Sequence, residues 1–196
     1  MRQTIFICAM IGLLWPAAVQ AEQPLEILQK AIQEGITLLK PPDDETPSAS
    51  VGQVQVQRLW GLADRLFDFN EFARRVLAAH WRRFTPVQRR DFTQVFAQFL
   101  RNKYLPQLQA KYRGESIIEM RQELISPVEA VIHAKVLHRK LEIPIDIRMR
   151  KGPGTWKVYD LNILGVSAVG NYRVQLDAVL RKHTPARTIE LLRSKL

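Results

Sequence analysis

The sequence predicts an α+β domain in which helices come first, an antiparallel meander of about four strands follows, and two helices close the chain. Up to about residue 112 the apolar residues recur at the spacing of a helix, and after Gly114 they alternate with a period of two. Helical spacing returns over residues 168–181 and 185–196. A meander flanked by helices is expected to have one face covered.

Residues 1–21 are typical of a secretory signal peptide. Arg2 precedes a short apolar run, and small residues surround the predicted cleavage site after Ala21. The run is too short to span a bilayer as a stable helix, and an uncleaved anchor is the alternative. Cleavage would leave 175 residues, enough for one ordinary domain. We expect a helix and a proline-rich loop in residues 22–50 and the functional domain in residues 51–196.

Four helices are predicted before the sheet. The first carries Leu25, Leu28 and Ile32 at helical spacing. Thr85 followed by Pro86 predicts the start of the longest helix, because a capping hydroxyl and a first-turn proline both favour it. The predicted helices cover residues 24–40, 51–67, 71–83 and 87–112, with a bend near Pro106, and a proline-rich loop covers residues 41–50.

The clearest strand is LEIPIDIRMR, residues 141–150. Its odd-numbered residues are apolar and its even-numbered residues are polar or proline, so the strand has one dry and one wet face. Pro144 cannot donate to a ladder and therefore suggests an edge strand or a bulge. The sequence Lys-Gly-Pro-Gly at 151–154 predicts a hairpin turn into a returning strand over residues 155–163.

The chain carries a formal net charge of +10, which is unevenly spread. Residues 22–64 hold three basic and seven acidic residues, whereas residues 65–196 hold 25 basic and 12 acidic ones. In an exported protein this surface favours anionic lipid or an acidic protein over nucleic acid as a partner, the alternative being a merely soluble basic surface. The single cysteine, Cys8, lies in the predicted signal peptide, so the mature chain would have no disulfide.

No catalytic constellation can be assembled from the polar residues, and neither a metal nor a cofactor is expected. The histidines form no HxxxH or HExxH pair, and His133 and His138 fall on opposite faces of a strand. Asp146 and Asp160 lie on the two strands of the predicted hairpin. A structural salt bridge to Arg148 or Lys157 is favoured there over an acid–base pair.

Ser167 stands where a strand ends at a glycine and a helix begins. It lacks the second glycine of a nucleophile elbow, because Val169 holds that position. We interpret Ser167 as a helix N-cap. The alternative is that Ser167 and the amides of the first helical turn meet a phosphate group.

The aliphatic strand face and an aromatic helical stripe formed by Phe92, Phe96, Phe99 and Tyr104 are expected to meet. They either close a solid core or, if the sheet curves away, leave an apolar cleft. Strands of about ten residues are about 33 Å long, which is enough for an acyl chain. A lipid carrier would need a cleft of well over about 1,000 Å³, above the usual range for small-molecule sites.

Two runs of the sequence carry a family resemblance. RVLAAHWRRFTPVQRRDFTQVFAQFLRNKYLPQL has an aromatic residue before a Thr-Pro-x-Gln-Arg helix start. WKVYDLNILGVSAVGNYRVQL contains Trp-x-Val-x-Asp, then Gly-Val-Ser and Asn-Tyr-Arg. Together they resemble the MlaC family, the toluene-tolerance proteins, over residues 51–196. Ala78 departs from the pattern, since many relatives have a glycine after the Val-Leu pair.

The resemblance implies a fold similar to the nuclear-transport-factor and cystatin group, with a curved sheet wrapped by helices around an apolar pocket. It implies a periplasmic, non-enzymatic carrier of phospholipid that helps to maintain outer-membrane lipid asymmetry. The implied partners are an outer-membrane lipoprotein complex and an inner-membrane ABC transporter with an MCE-domain ring. Hopanoid-associated relatives leave the class of lipid open.

The site residues follow from the resemblance and the apolar pattern. The pocket rim, near the lipid head group, would consist of Ser167, Asn171 and Arg173. The docking residues, for a partner or for phosphate, would be Arg82, Arg83, Arg89 and Arg90. The apolar lining would consist of Val76, Leu77, Phe92, Phe96, Phe99, Leu100, Tyr104, Ile132, Val136, Ile143, Ile145, Ile147, Val158, Val166 and Tyr172.

Two other classes of function are left open. A small isomerase or hydrolase could occupy the same fold and would need a buried polar group such as Asp160 or His133. A ligand-free adaptor protein would instead have a solid core.

Overall fold

A computed structural model describes residues 23–39, 53–111 and 115–196. The predicted signal peptide and the proline-rich loop lie outside these residues. The described helices are α1 (Pro24–Leu39), α2 (Gln53–Leu66), α3 (Phe69–Leu77), a 3₁₀ helix (Ala78–Arg83), α4 (Pro86–Lys111), α5 (Ala168–Leu180) and α6 (Pro185–Arg193). The strands are β1 (Ser116–Ser126), β2 (Glu129–His138), β3 (Leu141–Lys151), β4 (Trp156–Ile163) and β5 (Val166–Ser167).

The α+β class is confirmed. The strands form one curved, unclosed antiparallel sheet in the order β1-β2-β3-β4-β5, so each strand pairs with the next one along the chain. The sheet has five strands rather than about four, because the two-residue β5 pairs back onto the end of β4. None of the helices in the described ranges is long and apolar enough to cross a bilayer.

Pro144 lies in β3, which is a central strand, so the expected edge position is wrong. The ladder between β3 and β4 ends at the pair Ile145–Ile163, so it does not include Pro144. The carbonyl of Pro144 faces the same side and accepts a hydrogen bond from the Leu164 N–H at 3.2 Å. The missing N–H therefore points beyond the end of β4 and removes no ladder hydrogen bond.

The helix predicted over residues 71–83 is interrupted. It ends as an α-helix at Leu77 and continues as a 3₁₀ helix, because Ala78 has φ 45° and ψ −118°. The predicted start at Thr85 is confirmed. Its hydroxyl accepts from the Gln88 N–H, and the Gln88 side chain accepts from the Thr85 N–H, which is a capping box.

The buried side chains form two separate clusters. The helical core joins α3, α4, α5 and α6 and contains Phe72, Ala73, Val76, Leu77, Phe84, Phe92, Val95, Phe96, Val169, Tyr172, Leu176, Leu180, Ile189 and Leu192. The sheet core lies on the dry face of the sheet and contains Leu28, Ala130, Ile132, Ala134, Ile147, Met149, Trp156 and Val158.

Candidate functional site

On strands β2, β3 and β4 the dry face becomes more exposed from the end near Met149 to the end near Leu141, whereas on β1 Leu124, opposite Ala130, is 56% exposed. In β3, Met149 is fully buried and Ile147 is 7% exposed, Ile145 and Ile143 are half-buried, and Leu141 is 67% exposed. These side chains share one face because the strand alternates. The sheet therefore has a closed end near Met149 and an open end near Leu141.

The neighbouring strands show the same gradient. In β2, Ile132 is buried and Val136 is half-buried, and in β4, Val158 is buried while Ile163 is 45% exposed. The strand register places Val136 opposite Ile143. The result is a continuous strip of aliphatic side chains that leads from the sheet core to the open end. We call it the aliphatic strip; it consists of Ile132, Val136, Leu141, Ile143, Ile145, Ile147, Val158 and Ile163.

Helices α1 and α2 cover the closed end. Leu28 of α1 is buried in the sheet core, and the Leu25 N–H donates to the Gln122 side chain of β1 at 3.0 Å. After α2, Phe67 forms a backbone bridge with Val158. Sequence reasoning placed α1 as a helix but missed that it packs on the sheet, because amphipathic spacing does not identify the surface that a helix covers.

The predicted apolar lining is divided between the two clusters. Ile132, Ile147 and Val158 lie in the sheet core, and Ile145 packs against it. The other lining residues on helices contribute to or pack against the helical core: Val76, Leu77, Phe92, Phe96, Phe99, Leu100 and Tyr172.

The expectation that the aromatic stripe meets the strand face is therefore wrong. Phe92 and Phe96 stack on each other with ring centroids 5.3 Å apart, and Phe96 also contacts the ring of Tyr172 edge-on. Tyr104 hydrogen-bonds the Tyr172 hydroxyl at 2.8 Å, so α4 faces α5 and not the sheet. Burial and this hydrogen bond raise the pKa of Tyr172.

Ser167 is confirmed as a helix cap. Its hydroxyl accepts from the Gly170 N–H at 2.9 Å and donates to the Asp160 carboxylate at 2.7 Å. Asp160 is buried and also accepts from the Val169 N–H at 2.9 Å. The expected pairing of Asp160 with a basic strand residue is thus wrong, since the start of α5 occupies both carboxylate oxygens.

The other two rim residues lie on the exposed surface of α5. Asn171 accepts from the Gln175 side chain, and Arg173 donates to the Arg75 carbonyl at 3.1 Å. Val166, predicted to line the pocket, is 62% exposed at the open end. Its backbone pairs with Ile163.

The predicted docking arginines do not all have free side chains. Arg83 donates to the carbonyl of Leu180 at 2.8 Å, and Arg89 donates to the carbonyl of Trp81 and stacks on its ring. Arg82 and Arg90 are exposed and have no ion pair within the described part of the chain. Two of the four arginines are therefore available to a partner.

A cavity of about 340 Å³ lies beside these arginines. It is far smaller than the cleft that a lipid carrier was expected to contain, and its lining is largely charged. The lining residues are Asp68, Asn70, Glu71, Arg74, Trp81, Arg89 and Arg90.

A buried carboxylate joins the helices to the sheet, and sequence reasoning missed it. Glu71 of α3 pairs with Arg74 and Arg75 at 2.7 Å and with Arg150 of β3 at 3.3 Å. Arg75 also pairs with Glu129 at the start of β2. Burial alone would raise the pKa of Glu71, but the hydrogen bonds and charges of Arg74 and Arg75 outweigh it and hold this pKa at about 2.

Two histidine–carboxylate pairs lie on the sheet: that of His133 is on the wet face, and that of His138 is on the dry face, because His138 is in register with Leu141. His133 contacts Asp146 at 2.8 Å and Glu123 at 3.0 Å, so Asp146 pairs with a histidine rather than with Asp160. His138 contacts Glu115 at the start of β1. Across residues 23–39, 53–111 and 115–196 there is no group of three or more His, Cys, Asp or Glu side chains that could hold a metal ion.

Comparison with known proteins places this fold in a family. The family described as "MlaC protein" matches residues 29–194. No protein with a curated description matches the chain. One similar solved structure is the phospholipid-binding protein from Ralstonia solanacearum, in complex with a phospholipid. It has a TM-score of 0.71 and 19% sequence identity and covers 89% of this chain and 97% of its own, which shows a shared fold. Because the family model matches residues 29–194, most of the chain, this chain belongs to the MlaC family.

Proposed function

We propose that this protein is a carrier that binds the acyl chains of a phospholipid on the open part of its dry sheet face. The observation that carries the proposal is the burial gradient from Met149 to Leu141, which leaves half-buried aliphatic side chains where a ligand could cover them. Family membership and the phospholipid complex of the Ralstonia protein support the choice of ligand.

We further propose that the chain works in the periplasm after removal of its signal peptide. There it would carry phospholipid between an outer-membrane lipoprotein complex and an inner-membrane MCE-domain ABC transporter, and so maintain outer-membrane lipid asymmetry. Each methylene buried on the strip contributes about 0.8 kcal/mol, so two complete acyl chains would dissociate slowly without help. A docking partner is therefore part of the proposal.

Binding rather than catalysis is the proposed activity. Two observations support this choice. Asp160, a candidate catalytic group, accepts hydrogen bonds from Ser167 and the Val169 N–H. His133 is held between two carboxylates on the wet face, away from the aliphatic strip.

The test is lipid extraction and mass spectrometry of the protein purified without detergent. We expect about one phospholipid per chain, and less than a third of that amount in the variant Ile145→Asn, which puts an amide on the half-buried strip. The matched control is Leu137→Asn, because Leu137 is a partly exposed aliphatic residue that pairs with Glu142 on the opposite face. A folded wild-type protein without lipid would refute the carrier function. Equal amounts of bound phospholipid in the two variants would show that the acyl chains do not bind on the aliphatic strip.

A further inference from the structure

Two tight turns lie at the open end of the sheet. Arg139 and Lys140 connect the pair His138–Leu141, and Leu164 and Gly165 connect the pair Ile163–Val166. We call residues 138–141 and 163–166 the turn end. The register between β3 and β4 places Ile145 opposite Ile163, so both turns lie at the same end of the sheet.

The backbone of the turn end is unfavourable for the residues it carries. Within the described residues, four non-glycine residues have positive φ, and three of them are Arg139 (46°), Lys140 (68°) and Leu164 (52°). Two-residue hairpin turns with positive φ at both central positions strongly prefer Asn-Gly. Arg-Lys and Leu-Gly are poor choices for stability, which points to a use for their side chains.

The side chains of the turn end form an apolar surface at the mouth of the strip. Leu164 is 64% exposed, and Leu141, Ile163 and Val166 are also exposed. Leu141, Ile163 and Val166 belong to the dry face. Leu141 alternates with Ile143 on β3, Ile163 is opposite Ile145, and Val166 is opposite Ile163. The aliphatic side chains of β3, β4 and β5 thus extend to the outer surface, with His138 of β2 beside Leu141 on the same face.

Two cations border this apolar surface. Arg139 and Lys140 are exposed and form no ion pair with any described residue. On the adjoining strand ends, Glu115 is bonded to His138 and Glu119 to Lys135. Glu142, next to Leu141, is exposed on the opposite face, where it interacts electrostatically with Lys135. Exposed aliphatic side chains beside unpaired cations are complementary to the interface of an anionic bilayer, where apolar groups insert and basic groups meet the head groups.

We propose that the turn end docks on an anionic lipid bilayer. Leu141, Leu164 and Val166 enter the interface while Arg139 and Lys140 contact the anionic head groups. This orientation places the mouth of the aliphatic strip against the membrane, so an acyl chain can pass between the two without crossing water. The proposal rests on the proposed lipid-carrier function for its purpose, but bilayer docking can be measured independently of lipid content.

The test uses substitutions that favour the fold while removing the docking groups. Arg139→Asn with Lys140→Gly, and separately Leu164→Asn, turn each hairpin into the preferred Asn-Gly sequence, so both variants should be at least as stable as the wild type. Binding is measured by flotation with vesicles of equal parts phosphatidylglycerol and phosphatidylcholine, and with phosphatidylcholine alone.

We expect the wild type to bind the anionic vesicles and to be released by high salt. Removing the two cations should weaken binding about tenfold or more. Leu164→Asn should weaken it several-fold, and combining all three substitutions should abolish it. The matched control combines Val87→Asn, Lys182→Gln and Lys195→Gln, which removes one exposed aliphatic residue and two exposed cations elsewhere and should retain most of the binding.

Three outcomes would overturn the proposal. They are no binding of the wild type to anionic vesicles, equal binding by the wild type and the triple turn-end variant, and an equal loss in the matched control. If the turn-end variants bound vesicles normally but failed to deliver lipid to a protein acceptor, the surface would belong to a protein partner instead. Lipid content of each variant, measured by mass spectrometry, shows separately whether the carrier function stands.

Discussion

At the scale of single residues, Ala78 is an alanine in a backbone conformation that suits glycine. Its φ of 45° combined with ψ of −118° lies outside the regions that L-residues with a Cβ occupy readily. This conformation ends α3 and starts the 3₁₀ helix. A glycine would adopt this conformation without a steric cost.

We therefore expect Ala78→Gly to stabilise the protein by about 1 kcal/mol, because relief of backbone strain exceeds the added entropy of the unfolded chain. Thermal unfolding should show a rise of about 2–4 °C. Gly165→Ala is the opposite control, since φ of 82° at Gly165 should make that change destabilising. An unchanged or lower melting temperature for Ala78→Gly would show that the position is unstrained.

Glu71 provides a second prediction at this scale. Its pKa is about 2 in the folded protein, below the ordinary value of 4.5, so the unfolded chain binds more protons across that interval. The stability contributed by Glu71 is complete above about pH 4.5 and is lost as the pH falls toward 2, by up to about 3 kcal/mol. Glu71→Gln should lower the free energy of unfolding at pH 7 by about 2–3 kcal/mol. It should also make that free energy less dependent on pH below about 4.5.

Urea unfolding at pH 7 and at several lower pH values measures both effects. Glu119→Gln is the comparison, because Glu119 pairs with Lys135 on the exposed wet face and should contribute little. If Glu71→Gln kept the full acid dependence of the wild type, other carboxylates would be responsible for it.

At the scale of secondary-structure elements, the junction of β4, β5 and α5 is organised by one buried carboxylate. Asp160 accepts from the Ser167 hydroxyl and from the Val169 N–H, and Ser167 in turn caps the Gly170 N–H. These bonds satisfy amides at the start of α5 that the helix itself leaves unpaired. The junction is a structural link between the sheet and the helical core.

Ser167→Ala should therefore destabilise the protein by about 1–2 kcal/mol, since it removes the cap and one partner of a buried carboxylate. The amount and head-group class of bound lipid should not change. Thermal unfolding and lipid mass spectrometry on the same preparation measure the two properties. Loss of lipid from a stable Ser167→Ala protein would instead support a contact between Ser167 and a phosphate group.

At the scale of the whole molecule, the helical core and the sheet core differ in how far they are closed. The helical core is tightly filled and presents arginines on its surface, whereas the sheet core opens at one end. The ion pairs of Glu71 with Arg150 and of Arg75 with Glu129 join the two units. Under the proposed function, docking on a protein partner and holding a lipid would use different surfaces.

This separation predicts that Arg82→Gln with Arg90→Gln slows lipid transfer to an acceptor complex several-fold and leaves lipid retention intact. Both side chains are exposed and unpaired within the described part of the chain, so folding should not change. Transfer is followed with a fluorescent phospholipid. Arg83→Gln is the contrasting variant, because the bond from Arg83 to the Leu180 carbonyl makes its loss destabilising. Normal transfer by the double variant would exclude these arginines as a docking surface.

The sequence by itself determined most of the helices and strands, because periodicity and caps are local properties; the break at Ala78 and the two-residue β5 were not predicted. The alternation of LEIPIDIRMR predicted the dry face of β3, and Thr85 and Ser167 were recognisable as caps. The family was recognisable from its two motifs, and the match over residues 29–194 confirms it.

Only the tertiary structure decided which apolar surfaces meet. The spacing of Phe92, Phe96 and Phe99 shows that one side of α4 is buried, but a helical stripe does not identify its partner. That partner is the set of helices α3, α5 and α6 rather than the sheet. The ion-pair network of Glu71 joins charges that lie far apart in the chain, so no local sequence pattern predicts it. The open end of the strip exists because α1 and α2 cover one end of the sheet and not the other, which depends on where helices dock rather than on where they form.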